Sequence, residues 1–439
     1  MTGEITRELA RFVTETTELP PAVERAMRRM LLNMVSLSAG SSRHSAATAA
    51  ARVVMAMDTA PRASVLGTSM RVDTQWAAFL NGVSGHVEDY DDTHLVTVMH
   101  PGPVVVPAAL AVAEGRNATV AELLFAMALG TEVALRVGVG LGPAHFDRGW
   151  HVTGTLGVIG AAVAAARLAQ LGTEEVIQAL GLATTQAGAI RSALGTETKS
   201  FHCGHAAESG VEAAQLVELG FTAAVRGIEG RRGMAALMTE DADLDCMVAG
   251  LGERWELHAN QEKPYACGVV SHPTLDAARR LRKRLADISA IAGVEVTVNP
   301  VVLDVMAIQD PATGLESKFS VYHCAAIGLL DGRGGPREFS DDRARAADVV
   351  SLRSRVSVTT DEHMPRDATR MVVRMRDGRS DEEFVDHIEV LDEERLAEKA
   401  RSMLEQVLGP SADGAMTRLI GLRDSDSVIS LVEAVTTTS

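Results

Sequence analysis

The sequence predicts a mainly α-helical protein with a second, α+β domain. Three observations carry this reading. Apolar residues recur at helical spacing through the first part of the chain, and helical segments return after Glu393. Alternating apolar and polar residues, the spacing of strands, are confined to the stretch between Val294 and Val390. Ala and Gly are abundant while aromatic residues make only 3% of the chain, which favours helices packed closely through small side chains. With 439 residues, one hydrophobic core is too few. The expected division is a helical domain from residues 1–262 and 393–439, with an α+β unit over 263–392.

The elements follow in order. Residues 20–39 place Val23, Met27, Met30, Leu31, Met34 and Leu37 on one face, and Gly40 with its following serines ends that helix. A second helix runs from about Ser45 to Met57 and a third from about Val72 to Val87. The third delivers the chain to GHVEDYDDTHLVTVMHPGPVVVP, residues 85–107. This stretch sets Asp91 beside Asp92, adds Asp89, and carries His86, His94 and His100. Pro101, Pro103 and Pro107 are expected to stop a helix and hold a fixed turn. Acids, imidazoles and a stiff backbone are what proton transfer needs. Short apolar helices are expected from Pro103 to Glu114 and, longer, from Ala118 to Gly140.

Residues 150–171 read WHVTGTLGVIGAAVAAARLAQL, a Gly/Ala-rich buried helix with His151 at its entry. Another helix starts at Thr173, with Glu174 and Glu175 suiting the dipole of its first turn. In GTETKSFHCGHAAESG, Lys199, His202 and His205 are expected just before a helix whose free N–H groups attract anions. From Gln261 the texture changes. QEKPYACGVVSHPTLDAARRL carries Lys263, Tyr265, His272 and Asp276. Strands are expected around 294–298, 355–359, 370–376 and 383–390, with Asp377-Gly378 as a hairpin turn. One helix is expected over Lys318–Gly332.

Composition excludes several functions. A net charge of −16 argues against a nucleic-acid partner, and an anionic ligand would need a local cluster of Lys, Arg or His. Four cysteines without CxxC spacing point to neither a zinc ribbon nor a disulfide framework, and a cytoplasmic location is the expectation. No signal peptide is expected, since the N-terminal residues carry acids and no apolar h-region, and no run is expected to reach the roughly 20 apolar residues that span a bilayer. There is no GxSxG and no GxGxxG after a strand. The acids and histidines of residues 85–107 also suit a metal, but no HExxH or DxDxDG spacing supports one.

Five blocks together resemble one family. They are NGVSGHVEDYDDTH…HPG…PAALAVAE, GWHVTGTLGVIGAAVAAARL, GTETKSFHCGHAAESGVEAAQLVELGF, EKPYACGVVSH and KFSVYHCAAIGLLDG. The chain resembles the MmgE/PrpD family, which includes 2-methylcitrate dehydratases, cis-aconitate decarboxylases and iminodisuccinate epimerases. The resemblance spans nearly the whole chain. It implies a large helical domain built from both termini, a smaller α+β lid domain, a homodimer, and neither cofactor nor metal. It implies a decarboxylase-type site with Asp91 and Thr93 in the DDT element, His100 in HPG, His151 in WHxTG, Lys199 in GTxTK and Lys263 in KPYxC. In the lid helix a gap-free match puts His323 where the decarboxylases carry a tyrosine, with Tyr322 beside it. His202 and His272 join as substrate-binding candidates.

The chemistry of these residue types agrees with that implication. A carbanion-like centre beside carboxylates needs a proton donor or acceptor and N–H or O–H groups to hold charge. The leading expectation is a cofactor-free lyase acting on a small polycarboxylate, a decarboxylase or dehydratase. An epimerase that removes and returns one proton is the alternative, and a non-catalytic carboxylate binder is the third. Neither nucleic acid nor membrane is an expected partner.

Overall fold

A computed structural model describes residues 4–437. Two hydrophobic cores form. One draws on residues between Ile5 and Leu257 and again from Ala400 to Val435. The other draws on Tyr265 to Val385. The first core is helical. Its centre is the helix Thr198–Glu218, which packs between Thr74–Val87 and Val152–Leu168. Small residues make that packing possible. A Cβ on Gly204 would lie 2.5 Å from the Phe79 carbonyl oxygen, so only glycine lets these two backbones approach. The helices Pro21–Gly40, Gly102–Gly115, Val120–Leu141 and Thr173–Thr185 surround this centre, and Glu393–Leu408 returns from the C-terminal side to pack on Pro21–Gly40.

The second core lies under a four-stranded sheet. Its strand order is Val356–Thr360, Ile291–Val298, Thr369–Met375, Ser380–Val385. The first pair is parallel and the others antiparallel. Residues 377 and 378 make the turn expected of Asp-Gly, with Gly378 at φ 89°. The helices His272–Arg284 and Val321–Leu330 pack against each other, and His272–Arg284 also lies on the sheet. The mainly helical fold with an α+β unit is therefore as the sequence predicts.

Four local expectations are corrected. Pro107 does not stop a helix but lies inside Gly102–Gly115, where its missing N–H forgoes only a bond to the Pro103 carbonyl in the first turn. Lys199 lies in the first turn of its helix rather than before it, and His202 and His205 follow within the helix. The expected helix over Lys318–Gly332 is broken: Ser320 caps a fresh start by accepting a hydrogen bond from the His323 N–H, and the helix runs Val321–Leu330. Lastly, Val120–Leu141 is long and apolar enough to cross a membrane by length and composition. In this fold it is buried, and its Glu132–Arg136 pair (2.6 Å) is fully enclosed, with Arg136 also donating to the Ala249 and Gly250 carbonyls.

Candidate active site

Residues 85–102 are pinned by a ladder that the sequence does not announce. Asp92–His94 pairs antiparallel with Asn260–Glu262, and the Lys263 N–H extends the pairing to the Asp91 carbonyl (2.9 Å). This ladder brings Lys263 against the acid–histidine stretch. Gly102 closes the turn. Its N–H donates to Asp92 Oδ1 (3.0 Å), and a Cβ there would lie 2.5 Å from that same oxygen.

Asp89 is the hub. Its backbone sits at φ 49°, a left-handed conformation that aspartate tolerates better than most residues. Lys199 Nζ and Lys263 Nζ each donate to Asp89 Oδ1 at 2.7 Å. Burial opposes ionisation of Asp89, but the two ammonium groups outweigh it and hold its pKa far below the carboxylate range. Burial likewise works against the Lys263 ammonium, while Asp89 and Asp91 raise it above the ordinary lysine value.

The tautomers follow from the partners. Lys199 Nζ, a donor, lies 2.8 Å from His86 Nε2, which must accept. His86 Nδ1 then carries the proton and donates to Asp91 Oδ2 (3.1 Å). Burial and the Lys199 charge push the His86 pKa down to about 4, so the ring is neutral. His100 Nδ1 lies 2.7 Å from the Asp92 carbonyl oxygen, an acceptor, so this nitrogen donates. Longer approaches to Thr93 Oγ1 (3.2 Å) and Asp91 Oδ2 (3.2 Å) compete for that one proton. His100 Nε2 is left as the basic nitrogen.

His151 and His202 meet through their Nδ1 atoms at 3.1 Å, and His151 Nε2 is buried without a protein partner among the described residues. Burial first, then Lys199, lowers both imidazoles. Asp92 behaves differently. Burial and the neighbouring Asp91 charge push its pKa up to about 7.

A small cavity of about 70 Å³ is lined by Asp89, Thr93, His100, His151, Lys199 and Lys263. Val98, Phe146, Val152, Val270 and Val305 separate it from an outer cavity of about 490 Å³, since they line both. Arg191 and Arg366 line the outer one. A groove of about 830 Å³ elsewhere, along Arg116, Phe125 and Arg167, contains none of these groups.

The structure thus brings together Asp91, Thr93, His100, His151, Lys199, Lys263 and, one step behind, His202. It does not bring Tyr322, His323 or His272 to them. His323 Nε2 donates to the Glu338 carbonyl (2.9 Å), and His272 Nε2 donates to the Cys267 carbonyl (3.2 Å). Tyr322 is buried in the second core and lines neither cavity. His86 and Asp89 belong to the cluster although sequence reasoning gave them no catalytic or binding place. Their signal was present in the same acid–histidine stretch. What was missing was the pairing with two distant lysines.

Ligand atoms of His86, Asp89, Asp91 and His100 lie within 4.8 Å of one another, the spacing of a possible metal site. Part of this donor set is engaged and part is free: Asp89 Oδ2 and Asp91 Oδ1 are buried without a partner among the described residues. Two ammonium groups occupy Asp89 Oδ1, and both His86 nitrogens are bonded. A dication there would stand against two buried ammonium groups already paired with these acids, so the set fits an anionic ligand better than a metal.

Residues 7–247 match the MmgE/PrpD N-terminal domain and residues 265–420 the MmgE/PrpD C-terminal domain. Among individual proteins, the chain is 24% identical to a cis-aconitate decarboxylase of Aspergillus terreus over 93% of this chain and 90% of that protein. It is 28% identical to the cis-aconitate decarboxylase of Homo sapiens over 77% of this chain and 74% of that protein. The cis-aconitate decarboxylase-like protein oryM of Aspergillus oryzae is 27% identical, and there the match spans 66% of this chain and 64% of the relative's length.

Proposed function

The chain belongs to the MmgE/PrpD family, and from that premise we propose that it is a cofactor-free lyase acting on a small di- or tricarboxylate, with decarboxylation of a cis-aconitate-like substrate the leading reaction. The observation that carries this reading is the pair of buried ammonium groups, Lys199 and Lys263, converging on one cavity with His100 and His151.

The chemistry follows from that arrangement. Each lysine spends hydrogens on Asp89 and keeps capacity to bind a substrate carboxylate, a charge-assisted bond contributing roughly 1.5–3 kcal/mol. Cleavage of the carbon–carboxylate bond releases CO₂ and leaves its electron pair spread over the allylic carbons and the remaining carboxylate. The lysines stabilise that charge as it develops. One proton must then reach carbon. His151 Nε2 is the proposed donor: the ring takes up a proton from solvent as the anionic substrate binds, gives it to carbon from Nε2 and returns to the neutral form with its Nδ1–H directed to His202, while Thr93 and His100, which also line the cavity, position the substrate. A dehydratase reaction would use the same imidazole in the other direction, to remove a proton beside a carboxylate.

The test is NMR in D₂O with cis-aconitate, 2-methylcitrate, itaconate and iminodisuccinate. The expected result is loss of CO₂ from cis-aconitate with one deuterium incorporated in the product. Exchange or change of optical rotation without change of composition would replace this reading by epimerisation. Binding of these acids without any exchange or turnover would leave a carboxylate-binding protein.

A further inference from the structure

Lys399 stands outside the cavity, on the helix Glu393–Leu408, and is only 6% exposed. Its Nζ donates to two backbone carbonyls, that of Tyr90 and that of Lys263 (2.9 Å), and sits 4.0 Å from the centre of the Tyr90 ring. Among the described residues no carboxylate lies within ion-pair distance of it. Glu262, the nearest element's acid, is bonded instead to Arg29 (2.8 Å). Burying an ammonium without a counter-ion is costly, and burial pushes this one down to about 7. A methionine would fill the same space at lower cost. What methionine lacks is two converging N–H bonds.

Those two bonds fall at informative places. Tyr90 lies between Asp89 and Asp91, and Lys263 is the other half of the Asp89 ion pair. The ladder between Asp92–His94 and Asn260–Glu262 ends here, at the Asp91–Lys263 bond. Beyond it the backbone pairing stops and side chains join the two segments, with Lys263 Nζ donating to the Asp89 carbonyl (3.2 Å) and the Tyr90 hydroxyl to the Pro264 carbonyl (3.4 Å). Asp89 also holds a left-handed backbone, which the next peptide must fix in place. We propose that Lys399 is a positioning residue that ties the Tyr90 and Lys263 carbonyls together, so that Asp89 and Lys263 meet at hydrogen-bond distance in the cavity. The C-terminal helix thereby takes part in shaping a site to which it contributes no cavity-lining group.

The activity arm of the test rests on the lyase reading; the second arm does not. Lys399→Met is compared with Met403→Ala, a core substitution on the same helix at a residue 1% exposed. Lys399→Met should lower kcat about 30-fold or more while KM changes less than about threefold. Amide exchange over residues 88–94 and 260–266 should speed up at least about tenfold, with Val120–Leu141 unchanged. Met403→Ala should lower Tm yet keep kcat within about threefold. If Lys399→Met matches Met403→Ala in both kcat and local exchange, the lysine only fills and satisfies the interior, and the proposal is wrong. Should Lys399→Met not fold, Lys399→Leu, which is apolar and has no donor, takes its place: faster exchange confined to the two segments supports the proposal, and wild-type exchange there overturns it. Wild-type turnover tests the lyase reading separately, and the exchange arm needs no substrate.

Discussion

His86, His100 and His151 in the helical core and His272 and His323 in the α+β unit are all buried. In the helical core, the rings link acids, lysines and the cavity, and two of them keep a nitrogen for a ligand. In the α+β unit, each ring donates to a backbone carbonyl. The difference teaches that burial and residue type do not separate a catalytic imidazole from a structural one. Access to the cavity does: His100 and His151 line it, whereas His272 and His323, whose Nδ1 atoms are likewise buried without a partner among the described residues, line neither cavity. Lys199 and Lys263 lie beside the first group, whereas neither lies against the second.

The comparison breaks most sharply at His151. His151→Gln should reduce kcat by about 10²–10⁴-fold, the range of a general acid, with the fold intact. A loss under tenfold would move the proton donor to His100. Lys199→Ala comes next. It removes one charge-assisted donor and leaves Asp89 with one counter-ion, so kcat/KM should fall about 10²–10³-fold, through both kcat and KM. Lys199→Arg should restore only part of this, because the planar guanidinium has a different reach. Wild-type kcat/KM for Lys199→Ala would return the site to His100 and His151 alone.

A third test uses acid. His86, His94 and His323 are each pushed down to about 4, mainly by burial. Their unfolded values are near 6.5, so the unfolded chain takes up protons first as pH falls, and this stability is lost between about 6.5 and 4. Asp92, pushed up to about 7, opposes them: its folded form binds a proton that the unfolded form releases. Three groups outweigh one, and Tm should fall by about 2–5 °C between pH 7 and pH 5. A rise in Tm over that interval would contradict neutral buried imidazoles. The smallest effect is expected at His323. His323→Ala should lower Tm but leave kcat/KM within about threefold, since the lost bond, worth roughly 1 kcal/mol, is to the Glu338 carbonyl. A hundredfold loss would bring the α+β unit's histidine back into the chemistry.

The helices were legible because their apolar spacing is regular, as in Val23, Met27, Met30 and Met34 on Pro21–Gly40. The sheet was legible from alternation and from Asp377-Gly378. The three-residue ladder of Asp92–His94 with Asn260–Glu262 was not, since neither DTH nor NQE carries an apolar alternation. The break at Lys318 was readable only from Ser320 three residues before His323, a cap inside an otherwise apolar run. Lys199, Lys263, His100 and His151 stood out by residue type and context. Asp89 did not stand out from Asp91 and Asp92, because what distinguishes it is a contact across 110 residues with Lys199 and another across 174 with Lys263. Lys399 gave no signal at all, being one lysine on an ordinary amphipathic helix.

The balance of charge around the cavity has one more consequence. Asp89 and Asp91 face Lys199 and Lys263, so the site is close to neutral before any ligand arrives. A polycarboxylate would tip this enclosed space strongly negative. The nearest relief is proton uptake from solvent by His100, His151 and His202, which burial first and then the lysine charge keep deprotonated in the empty site. Ligand binding should therefore be coupled to protonation. Titration calorimetry should give a binding enthalpy that varies with the ionisation heat of the buffer, and affinity should strengthen as pH is lowered toward 6.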